Sequence, residues 1–144
     1  MNTKRFGACI SFGAACALGI AIAADLPRSP APKDAEVYFI SPQDGATVKS
    51  PVTVRFGLRG MGIAPAGVAM ENTGHHHLLI DTDLPPPNLP LPADANHVHF
   101  GKGQTEATVT LAPGRHRLQL LLGDHLHIPH DPPVASKPIT ITVE

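Results

Sequence analysis

Sixteen prolines in 144 residues leave little room for a long helix. Each interior proline removes a backbone donor and clashes with the turn before it, so such a chain favours extended segments joined by turns. Thirteen glycines add positions where the chain can reverse. An all-β fold is the expectation.

The apolar pattern agrees. Val37 to Ile40 form a short β-rich run, and Ser41-Pro42-Gln43-Asp44-Gly45 carries turn chemistry. Across residues 52–58, Val52, Val54, Phe56 and Leu58 alternate with Thr53, Arg55 and Gly57, the period-2 signature of a strand with one buried face. Arg59 to Gly74 reads as a long loop, and strand character resumes over His76 to Asp81. Residues 82–96 hold five prolines and read as a stiff extended connection. Further strand pieces are expected at 97–100, 105–111, 115–122 and 139–143. About seven short strands separated by turns predict an immunoglobulin-like antiparallel β-sandwich, with a small β-barrel as the alternative. The disulfide and core tryptophan of true immunoglobulin domains are missing, so the likeness is architectural.

The first 23 residues read as a secretory signal: Lys4 and Arg5, an apolar stretch from Phe6 to Ile22, and a small-x-small pattern at Ala21-Ile22-Ala23. Residues 24–35 read as a Pro-rich tether and 36–144 as the domain. Cleavage would leave 121 residues in the periplasm, with no transmembrane anchor and a net charge shifted from -1 to -3 by loss of Lys4 and Arg5. Cys9 and Cys16 would leave with the signal, which excludes thiol nucleophiles, haem attachment through cysteine and iron–sulfur clusters. A slightly acidic domain also lacks the clustered cations that nucleic acid requires. Gly101-Lys102-Gly103-Gln104-Thr105 precedes a strand rather than a helix, so it reads as a hairpin turn and not a nucleotide loop. No nucleophile-elbow motif and no His-Glu-x-x-His occur.

All nine histidines remain, and eight of them are grouped: His75, His76 and His77; His97 and His99; His125, His127 and His130. In an extended chain residues two apart project to one side. His75 with His77, His97 with His99 and His125 with His127 therefore each offer two imidazoles on one face. With His130 they form the candidate ligand set for a transition metal, copper(II) or zinc, and Asp81, Asp124 and Asp131 are candidates to support them. His116 shares parity with Leu118 and Leu120, so it reads as a hydrogen-bonded core or edge residue. Clustered imidazoles could also sense pH, since they repel one another once charged.

Three blocks carry a family resemblance: Thr73-Gly-His-His-His-Leu-Leu-Ile-Asp81, His99-Phe-Gly-Lys-Gly-Gln-Thr105, and Leu118 to Pro133 with its Leu-Gly-Asp-His-Leu-His-Ile-Pro-His-Asp-Pro-Pro run. They resemble a bacterial exported family catalogued as domain of unknown function 4399. The resemblance implies a small periplasmic β domain and brings no activity with it. The leading expectation is a metal-binding protein. A cell-envelope interaction module contacting protein or glycan is the alternative, and a metal-dependent hydrolase, for which Glu106 is the one conceivable base, comes third.

Overall fold

The computed structural model describes residues 26–144. The expected signal segment and both cysteines lie outside the described residues. Nine strands follow in order: β1 (Glu36–Ser41), β2 (Thr47–Val48), β3 (Val52–Arg59), β4 (Gly62–Ile63), β5 (Thr73–Ile80), β6 (His97–His99), β7 (Glu106–Val109), β8 (Gly114–Gly123) and β9 (Ile139–Val143). Seven match the strands expected from the pattern. The two extra pieces, β2 and β4, are two residues each and pair parallel to β9 and β5, too short to show any periodicity in sequence.

The strands form two sheets, one ordered β1-β3-β7 and one ordered β2-β9-β8-β5-β4 with β6 also paired to β5. Neither sheet closes on itself, so the architecture is a sandwich. Alternation explains the core between them. Val52, Val54 and Phe56 of β3 face Leu78 and Ile80 of β5, Leu118, Leu120 and Leu122 of β8, and Ile141 and Val143 of β9, all buried in one cluster. Exposed Thr53 and Arg55 take the opposite parity.

β5 and β8 depart from simple alternation because both of their faces are covered. The outward residues Leu79 and Leu121 form a second small cluster with Leu91, from the Pro-rich connection 82–96, and Ala135. The connection thus lies against the outer face of the larger sheet. This second layer is why Leu78-Leu79-Ile80 and Leu120-Leu121-Leu122 are unbroken apolar runs. It also buries the outward histidines of β5, His75 and His77, at 0% and 1% exposure.

The segment before β1 is docked. Pro30 forms a parallel bridge with Asp131, and Ala31 N donates to Asp131 O at 2.9 Å while Asp131 N donates to Ser29 O at 2.9 Å. Residues read from composition as a tether therefore carry ladder hydrogen bonds.

Candidate metal centre

β5 and β8 pair antiparallel, with His75 opposite Gly123 and His77 opposite Leu121. On the other side of β5, His77 is the register partner of His99 on β6. His75, His77 and His99 thereby share the outer face of one sheet. A ligand atom from each lies within 4.8 Å of the others.

A fourth ring arrives from the β8–β9 connection. His127 Nε2 is 3.1 Å from His99 Nε2, and His77 Nε2 is 3.0 Å from His75 Nε2. Ring centroids lie 4.9 Å apart for His75 and His127, 4.9 Å for His75 and His99, 5.0 Å for His77 and His99, and 6.0 Å for His77 and His127. Four imidazoles drawn from all three sequence clusters thus meet at one end of β5. His75 and His77 form the buried floor, and His99 and His127 stand nearer solvent.

His127 owes its position to a tight turn. Asp124 Oδ1 accepts from Leu126 N at 2.8 Å and Ile128 N at 3.0 Å, and His127 N donates to Asp124 O at 2.9 Å. The turn puts His127 at φ +65°, a conformation uncommon outside glycine, held because both sides of the residue are tied. On its far side the His127 carbonyl accepts from Leu91 N at 2.7 Å. Because residues 124–128 fold as a turn, the alternation expected for an extended His125-x-His127 pair does not apply. The His125 carbonyl accepts from Gly67 N, and the residue lines a separate depression with Met70, Glu71 and His130.

The other histidines have their own partners. His97 Nδ1 is 2.8 Å from Asp94 Oδ1. His130 Nε2 is 3.1 Å from the Thr73 carbonyl. His116 places Nδ1 2.7 Å from Asp81 Oδ2 and Nε2 2.8 Å from the Ala112 carbonyl, the edge role its parity suggests. His76, of opposite parity to its neighbours, points into the main core against Phe56, with ring centroids 5.0 Å apart. Of the three aspartates, Asp81 is engaged by His116 and Arg117, and Asp131 by Arg28. Asp124 builds the turn that carries His127.

Two glycines that sequence reasoning passed over make room for the rings. A Cβ on Gly101 would lie 2.4 Å from His99 Nε2, and one on Gly123 2.9 Å from His77 Nε2. From sequence Gly101 reads only as part of a turn and Gly123 only as part of a loop; the signal for a closer role is that each stands two residues from a histidine. Arg28 and Ser29, on the far side of the Asp124 turn, had no such signal.

Electrostatics favour the neutral form of the three rings on the sheet. Burial, followed by repulsion from His127 and His99, lowers the pKa of His75 to about 4, against a smaller opposing pull from Asp124. Burial and then the charges of His75, His99 and His127 push His77 lower still, and His99 is lowered by burial and His127. Burial opposes ionisation of Asp124, but hydrogen bonds from Ile128, Ser29 and Leu126 outweigh it and hold the carboxyl below its ordinary range. The result on the sheet is three uncharged nitrogen donors, His75, His77 and His99, with the Asp124 anion close by.

Residues 54–144 match the family described as Domain of unknown function (DUF4399). The chain belongs to that family. The match includes β5, β6 and the 124–128 turn, hence all four converging histidines of this DUF4399 domain, and leaves out the docked segment before β1. No curated protein and no solved structure matches the chain.

Proposed function

We propose that this DUF4399 protein binds one divalent transition-metal ion, copper(II) or zinc(II), through His75, His77, His99 and His127. The observation that carries the reading is the convergence of four imidazoles, with facing nitrogens 3.0 Å apart for His75 and His77 and 3.1 Å apart for His99 and His127. The nitrogens that face one another are in each case the Nε2 atoms. Two neutral imidazoles that face each other through Nε2 can share at most one hydrogen bond, which leaves at least one lone pair of each facing pair unused. A cation accepts all the converging lone pairs at once.

The spacing suits that role. Imidazole nitrogens about 2.0–2.1 Å from a metal are separated by about 2.8–3.0 Å as neighbours in a square plane and about 3.3–3.4 Å in a tetrahedron. The separations of 3.0 and 3.1 Å fall between the two, so shifts of a few tenths of an ångström would serve copper(II) or zinc. An all-nitrogen set without thiolate favours these ions over soft ones. We read the protein as a binding protein rather than a hydrolase, since Asp124, the carboxylate acting on the rings, already uses both oxygens in hydrogen bonds. The signal-like residues 1–23 support export to the periplasm as the setting.

Titration calorimetry of untagged protein, signal removed, with copper(II) and with zinc(II) tests the proposal. One equivalent should bind, His75→Ala/His77→Ala should abolish binding, and His97→Ala/His125→Ala should leave it unchanged. Equal affinity in all three proteins would refute it.

A further inference from the structure

Three of the four rings sit on paired strands, which hold them whatever the surroundings do. His127 sits on a turn, and the turn is held from outside. Ser29 Oγ donates to Asp124 Oδ2 at 2.7 Å, while the other oxygen of the same carboxylate receives Leu126 N and Ile128 N. Arg28 closes over the following residues: its Nε donates to Pro129 O at 3.1 Å, its guanidinium also to His130 O, and its Nη1 to Asp131 Oδ1 at 3.1 Å. The Pro30–Asp131 bridge completes the seam.

Asp124 is 2% exposed, and a carboxylate so buried must have its orientation set by donors. Without Ser29, Oδ2 loses the only partner recorded for it among the described residues, and the rotamer presenting Oδ1 to Leu126 and Ile128 is no longer imposed from both ends. Between those two amides lies His127, in its left-handed conformation.

We infer that Ser29, on a segment that Arg28 and the Pro30–Asp131 bridge fasten to residues 129–131, is a positioning residue for His127, so that the segment before β1 supports the metal site and sets its affinity. The inference rests on the metal-binding reading of the four histidines. In chemical terms, Ser29 orders Asp124, Asp124 orders the turn, and the turn presents the fourth nitrogen to the ion. The buried anchor Ile128 gives the same contacts a purely structural rival role, which would affect folding stability and leave the ligand set intact.

The test compares wild type, Ser29→Ala, Ser29→Thr, His127→Ala and the double variant Ser29→Ala/His127→Ala, each titrated with copper(II) and examined by pulsed electron paramagnetic resonance for the number of bound imidazoles. Supporting interactions of this kind are worth about 10- to 100-fold in metal affinity. Ser29→Ala should weaken binding about tenfold and reduce the imidazole count from four towards three, and Ser29→Thr should restore both. The double variant should bind no more weakly than His127→Ala alone. In metal-free protein, Ser29→Ala should speed amide hydrogen exchange at Leu126 and Ile128.

Wild-type affinity and an imidazole count of four in Ser29→Ala, with His127→Ala still impaired, would overturn the inference and leave the metal reading standing. An additive loss in the double variant, or unchanged exchange at Leu126 and Ile128, would also overturn it. Failure of wild type itself to bind copper(II) or zinc(II) would sink both.

Discussion

Gly101 and Gly123 are where single atoms decide the site. Neither has a positive φ, so alanine fits the backbone and the consequence falls on the ring above it. For Gly101→Ala the atoms in the way belong to the end of the His99 side chain, which can rotate aside at small cost. Gly101→Ala is therefore expected to weaken metal binding at least tenfold by calorimetry while changing stability by less than about 1 kcal/mol in urea denaturation. His116 allows a prediction of opposite character, since it lies away from the cluster. The Ala112 carbonyl, followed by Asp81, raises its pKa. A raised folded-state pKa adds stability that is fully present below the unfolded value of about 6.5 and is lost as pH rises through the folded value. The destabilisation caused by His116→Ala should accordingly be larger at about pH 5.5 than at about pH 9. A gap that is constant or grows with pH would count against the ion pair with Asp81.

At the scale of elements, alternation made β3 and β9 legible because each has one wet face and one dry face. In β5 the same alternation was hidden by burial on both sides, yet the parity argument still put His75 and His77 together, since register alone decides that. His99 was legible as half of a pair. Its choice of β5 as partner was not, because pairing between distant strands leaves no local mark. The turn at 124–128 was the hardest element to read: its shape depends on one carboxylate, and a period-2 argument has no purchase on a tight turn. The Pro-rich connection 82–96 reads from sequence as extended, whereas turns close at Pro86–Leu89 within it and at Asp94–His97 at its end, and its role depends on Leu91, 8% exposed against Leu79 and Leu121. Truncating a buried leucine costs about 2–5 kcal/mol, and the lower end applies to so small a cluster. Leu91→Ala should lower stability by about 2 kcal/mol and also weaken metal binding, because the Leu91 side chain anchors the segment whose backbone amide meets the His127 carbonyl. Denaturation and calorimetry on the same variant check both.

Over the whole molecule, the sandwich supplies a core that needs no metal, since the main cluster of Val, Leu, Ile and Phe residues lies on the opposite face of β5 from the four rings. The protein is therefore expected to fold without an ion and to gain stability when one binds. A ligand at 100 times its dissociation constant adds about 2.7 kcal/mol. For a domain of this size that corresponds to a rise in Tm of roughly 10 °C. Excess copper(II) or zinc(II) should produce such a rise in wild type, and His75→Ala/His77→Ala should abolish it in a differential scanning experiment. No helix among the described residues is long and apolar enough to cross a membrane.

The central claim is that four imidazoles, one pair from β5 and one each from β6 and the 124–128 turn, share a single ion. Counting nitrogens on the copper(II)-loaded protein by pulsed electron paramagnetic resonance tests it most directly. The account predicts four coordinated imidazoles in wild type, three in His127→Ala, and four in His97→Ala/His125→Ala. A count that falls when His97 and His125 are removed, and holds when His127 is removed, would contradict it.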